Sequence, residues 1–309
     1  MEESLTQKKS LTRSGQGHAL WLSLAALTPA WCAMAWLVSK AQWFWNHRPD
    51  LQFGWVVLIL CGYLLWEAWE QRPPLTLRGN FWVVVLGATG LSLLFLVQIY
   101  QAAFGMNAAT LTGTALGTML LVAANLNYAF GLMGVRHFGF GFAFLLIALP
   151  MPSSVHAFVV NGLQAKVATM NVEVLNLIGI PAQQVGSLIQ LPNCTVGIDE
   201  ACSGIRSLQS TVMATLFIGY LTLKNRALQV LLLGSGIGLA IFGNLVRSFF
   251  LSYTANSKGT QVLEAYHDSA GWSILAFTAV GVMVMSWLFH KLEAHLAGEL
   301  PPPPAAAEA

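Results

Sequence analysis

Long apolar runs separated by short polar stretches fill most of the chain. Runs at 19–39, 52–69, 81–100, 108–133, 138–155, 203–223, 227–247 and 271–290 predict eight transmembrane helices, because about 20 apolar residues cross a bilayer core of about 30 Å. The stretch 134–150 is dotted with glycine, and a re-entrant segment would carry the same pattern. Pro29 predicts a kink in the first run, which membrane helices tolerate. That run lacks the short apolar core and following small-residue site of a cleaved leader, so it reads as a retained anchor.

The one long connection, Met151 to Ala201, has patterns of its own. Between Val155 and Ile178, the positions Val160, Leu163, Val167, Met170, Val174 and Ile178 share one helical stripe, with Gln164 and Asn171 opposite. This predicts a helix lying in the membrane interface. From Gln184 to Ile198 apolar and polar residues alternate around Leu191-Pro192-Asn193, which predicts one or two short strands. The expected fold is thus an all-α membrane protein, with an interfacial helix and a strand-like segment before the sixth span. Residues 1–18 read as a polar, basic tail, 19–293 as one polytopic domain with its chemistry in 180–290, and 294–309 as a disordered Pro/Ala-rich tail.

Composition agrees with the pattern: 56% of the 309 residues are hydrophobic and 9% charged, where soluble domains carry roughly 25% charged residues. A net charge of +2 gives no reason to expect a nucleic-acid partner. Cys32, Cys61, Cys194 and Cys202 are too few for a disulfide scaffold, and no His/Cys spacing predicts a metal or cofactor. With both termini inside, the cytoplasmic segments hold Lys8, Lys9, Arg13, Arg72, Arg78, Arg136, Lys224, Arg226 and Lys291, and the outer ones Lys40, Arg48, Lys166 and Lys258. Nine basic residues against four favour that orientation.

Candidate chemistry is concentrated in Asp199-Glu200-Ala201-Cys202-Ser203-Gly204-Ile205-Arg206-Ser207. A thiol where a polar loop meets a membrane helix feels the positive end of the helix dipole, which favours thiolate; the plainer reading is a small apolar residue at a helix start. Arg206, four residues on, either orients a substrate carboxylate or pairs with Asp199 or Glu200. Two span lengths separate Cys202 from Arg247, bringing both to the outer face, and His267 lies in the last outer connection. Arg247 alone is read as a snorkelling anchor and His267 as a solvated loop residue. Together the three support acyl transfer: cysteine attacks a carbonyl, histidine relays the proton, arginine holds the anion. Asn244 is placed to share the arginine's site.

Glu200-Ala201-Cys202-Ser203-Gly204-Ile205-Arg206-Ser207-Leu208, then Asn244-Leu245-Val246-Arg247, then His267-Asp268-Ser269-Ala270-Gly271-Trp272 resemble the exosortase/archaeosortase family of polytopic membrane cysteine transpeptidases. The resemblance is strong over about 180–290 and weaker before it. Pro49-Asp50-Leu51-Gln52-Phe53-Gly54 resembles a family stretch after the first span, without its histidine and tyrosine. The resemblance implies Cys202, Arg247 and His267 as the catalytic set, with Glu200, Ser203, Arg206, Asn244 and Asp268 binding substrate or supporting them. It implies exported substrates with a C-terminal sorting signal (a Pro-Glu-Pro-like motif, one span, a basic tail) cut on the outer face of the plasma membrane and passed to a lipid or polysaccharide acceptor. The rival expectation is a non-enzymatic transporter or envelope-polysaccharide assembly protein, in which Arg206 and Arg247 bind an anion and Cys202 is incidental.

Overall fold

The computed structural model describes residues 21–198, 204–259 and 261–299, and it divides into two compact units, 1–153 and 154–309. The expected tail at 1–18 and the prolines at 301–304 lie outside the described residues. Residues 294–299, expected in the C-terminal tail, instead continue the last helix.

The first unit holds α1 (Thr28–His47), α2 (Gly54–Glu70), α3 (Phe81–Phe104) and α4 (Ala108–Phe144). Residues 21–26 are helical, and the turn at Leu27 is followed by α1 with Pro29 in its first turn, where a missing N–H costs nothing. α3 approaches α4 closely because glycines line the crossing: a methyl on Gly90 would stand 3.0 Å from Gly117 O. Trp45 is fully buried, and its Nε1 donates to Ala148 O at 2.8 Å.

The runs at 108–133 and 138–155 correspond to two helical pieces that meet at a break at Gly131, a few residues before the expected gap, and the second piece stops at Ala148, short of the expected 155. α4 passes through both with a kink at Gly131 (φ 68°), and a 3-10 turn, Leu145–Ala148, ends it. A left-handed backbone suits glycine and leaves preceding carbonyls without helical partners. Segment 76–78 supplies them: Thr76 N–H donates to Ala129 O at 2.8 Å, and Arg78 N–H to Tyr128 O at 3.0 Å.

The second unit holds α5 (Ser153–Leu177), the strands β1 (Gln183–Val185), β2 (Leu188–Gln190) and β3 (Thr195–Gly197), and the helices α6 (Ile205–Thr222), α7 (Arg226–Lys258) and α8 (Gln261–Glu299). The strand-like segment thus forms a three-stranded antiparallel sheet in the order β1-β2-β3, where one or two strands were expected. Its inner face buries Ile189, Leu191, Val196 and Ile198 against Val167, Ala168 and Leu175 of α5 and Ala255 of α7.

The inward stripe of α5 is turned from the expected one. Val160, Val167, Ala168, Asn171 and Leu175 are buried, while Met170, Val174 and Ile178 are exposed. With Phe158 and Leu177 also exposed, α5 keeps an apolar outer surface suited to a membrane interface.

The protein is a multi-pass, all-α membrane protein apart from this sheet. Among the described residues five helices are long and apolar enough to cross a membrane: Pro49–Glu70, Phe81–Phe104, Ala108–Ala148, Arg226–Lys258 and Ser269–Leu296. The expectation was eight. The candidate Ala108–Ala148 takes in both pieces of α4 and so counts two of the predicted runs once, while α1 carries Lys40, Gln42, Asn46 and His47, and α6 carries Ser207, Gln209, Ser210, Thr211 and Thr215. The threonines of α6 satisfy themselves locally, as Thr211 Oγ1 and Thr215 Oγ1 each donate to the carbonyl one turn back at 2.7 and 2.8 Å.

Candidate functional site

α6 starts at Ile205, and its N-cap is Gly204 in the left-handed region (φ 82°). That conformation is open to glycine at little cost and penalises any side chain. Gly204 is also buried, and a methyl built on it would lie 2.5 Å from Asn244 Cγ. The Asn244 side chain therefore packs on the glycine's own backbone, joining the Cys-Ser-Gly segment to the Asn-x-x-Arg segment of α7. Asn244 is 3% exposed. A small void bounded by Leu163, Val167, Gly204, Leu208, Ala240, Ile241 and Asn244 lies where α5, α6 and α7 meet.

One turn beyond Asn244, Arg247 is half-buried on α7. It does not end the helix as expected: α7 continues through Lys258, so the guanidinium is set inside a helix that is packed on both sides of it. Its Nη2 would be 3.9 Å from a methyl built on Gly271 of α8. The guanidinium thus lies beside α8 at a distance where even a methyl on Gly271 would make only an ordinary contact. Arg247 also forms one wall of an open cleft of about 330 Å³ between α7 and α8, with Phe250, Tyr266, Ser269, Ser273 and Ile274.

His267 and Asp268, expected in an outer connection, belong to α8, which starts at Gln261; their side chains lie outside the described residues. His267 is four positions before Gly271, a spacing that puts both on one face of α8. Glu200, Cys202 and Ser203 lie outside the described residues altogether. Arg206 is exposed in the first turn of α6. The expectation that it shares a helical face with Cys202 falls on a residue outside those described.

Two supporting residues escaped the sequence reading. Asn171, placed there on the side of α5 away from the packing stripe, is 0% exposed and its Nδ2 donates to Ser248 Oγ at 2.8 Å. Ser248 follows Arg247 directly on α7. A buried amide bonded to a buried hydroxyl fixes the rotation of α7 against α5. The only hint in the sequence was a polar residue one turn from Val167 and one turn from Leu175.

Cys194 sits in the β2–β3 turn, where burial raises its thiol pKa above the ordinary value. It stays protonated at neutral pH, the opposite of what a nucleophile needs.

A family model described as transmembrane exosortase matches residues 45–284, which take in the whole constellation around Gly204, Asn244, Arg247 and Gly271. No curated protein and no solved structure gives a match.

Proposed function

The chain belongs to the transmembrane exosortase family, and from that premise we propose that it is a membrane cysteine peptidase and transpeptidase. It cuts the C-terminal sorting signal of exported proteins on the extracytoplasmic face of the plasma membrane and passes them to an acceptor in the cell envelope. What supports this is the packing of Asn244 on Gly204 and of Arg247 on Gly271, since each contact joins two of the three segments that carry the candidate chemistry.

In this reading Cys202 Sγ forms a bond to the carbonyl carbon of the scissile peptide, and the oxyanion is held by Arg247. The C–N bond then breaks, with His267 delivering the thiol's proton to the leaving amine. The acyl thioester on Cys202 is released by an amine or hydroxyl of the acceptor, or by water, which gives its proton back to His267. Asn244 orients the segment that bears the nucleophile. Glu200, Ser203, Arg206 and Asp268 act on substrate or support the site, and no metal or cofactor takes part in this scheme. Basic residues in the predicted inner segments keep both termini in the cytoplasm.

Hydroxylamine, which intercepts thioesters, tests the chemistry. Membranes with the wild-type chain should yield exported proteins ending in a hydroxamate at the cut site, and membranes with Cys202→Ala none. Hydroxamate formation that survives Cys202→Ala would contradict the assigned nucleophile.

A further inference from the structure

The hydrogen bonds of the sheet fix which way each main-chain group of β3 points. Leu191 N–H donates to Cys194 O at 2.8 Å and Ile198 N–H to Ser187 O at 2.9 Å. With Ile189 opposite Val196, the bonded pairs are 191 with 194, 189 with 196 and 187 with 198, alternating as an antiparallel ladder requires. The N–H and C=O of Thr195 and Gly197 therefore point away from β2. Among the described residues no strand pairs with that side of β3, and no backbone group bonds there. Thr195 and Gly197 are both exposed. A methyl on Gly197 would touch only Leu188, at 3.4 Å, so packing within the sheet does not explain the glycine. The other edge is different: β1 turns only the main chain of Gln184 outward, and the Gln184 side chain is tied to Thr169, Ala165 O and Gly186 O.

We propose that β3 is the substrate-docking edge, where an extended stretch of the exported protein next to its scissile bond adds as a fourth strand through Thr195 and Gly197. This rests on the peptidase reading above. An acyl-transfer site must be offered an extended, ordered main chain, and β3 leads in sequence to Cys202, five positions after Gly197. Five residues of chain reach at most about 17 Å at about 3.3 Å per residue, so a peptide held on Gly197 needs only a short further stretch to reach the thiol. Main-chain pairing of this kind gives affinity without reading side chains, which suits an enzyme acting on many exported proteins. A second copy of this chain is the competing occupant, but an edge of three residues is short for a stable pairing between subunits.

Photo-cross-linking in cells that carry Cys202→Ala, where uncut substrate accumulates, tests the placement. A benzophenone amino acid at position 195 should cross-link to an exported protein, and one at position 183 on β1 should not. Cross-linking of position 195 to a second copy of the chain, or equal capture from 183, overturns the proposal. Thr195→Pro gives a kinetic arm, since it removes an outward N–H at an edge that tolerates proline. Processing by membranes should show KM raised about three- to tenfold with kcat nearly unchanged, and an unchanged KM overturns the proposal. Should Thr195→Pro fail to accumulate in the membrane, the cross-link decides. If the wild-type chain leaves the C-termini of exported proteins untouched, the peptidase reading itself falls; trimming without the position-195 cross-link removes only the docking edge.

Discussion

Gly204 ties two constraints to one atom. Its φ of 82° calls for glycine, and the space a side chain would take is already filled by Asn244. Gly204→Ala should therefore cost at least about 1–2 kcal/mol from the backbone alone and push Asn244 aside. The expected result is a lower Tm for the detergent-solubilised protein together with a loss of substrate processing; a variant with wild-type Tm would show that the backbone relaxes freely there. Arg247 poses a different question. If it were an anchor, lysine would serve, since both keep a charge on a long apolar stem. If it holds an oxyanion, as proposed, it needs the planar fork that ammonium lacks. Arg247→Lys should insert normally and cleave at most about a hundredth as fast, the usual effect of a lost oxyanion donor. Single-turnover cleavage at matched protein levels measures it, and a wild-type rate would reduce Arg247 to an anchor.

At the scale of elements, α7 and α8 both depart from what apolar windows suggest. Windows register composition, and so they ended the seventh span at Arg247 and began the eighth at Gly271. The helices continue because a charged or polar residue at a span end does not stop helical hydrogen bonding. Asn171 was misplaced for a related reason: a packing stripe of mostly apolar residues was assumed to exclude an amide, whereas Ser248 on α7 supplies its partner. The break in α4 was legible as the gap between the runs ending at 133 and beginning at 138, a few residues after its observed place at Gly131. Its location at Gly131 depends on segment 76–78, more than fifty residues earlier in the chain, donating its N–H groups to the exposed carbonyls. Nothing lies within 4 Å of a methyl built on Gly131, so Gly131→Ala isolates the backbone term. It should lower stability by about 1–2 kcal/mol through the first unit alone. A thermal unfolding scan with no loss of Tm would mean that the kink is not held in the folded state.

For the whole molecule, the membrane class and the family were readable from one sequence because they depend on local composition and short motifs. The contacts that support the site were not, since Gly204 on Asn244 and Arg247 on Gly271 each join residues from different helices. The sheet was half-legible: its alternation was visible, but the third strand depended on a register set by the Leu191–Cys194 turn. In the proposed function these pieces bring a peptide main chain to Cys202, which precedes α6 in sequence. The most direct measurement is the C-terminal mass of exported proteins from cells bearing either the wild-type chain or Cys202→Ala. Wild-type cells should contain shortened C-termini, and Cys202→Ala cells the same proteins at full length in the membrane. Identical C-termini in the two would contradict the account at its centre.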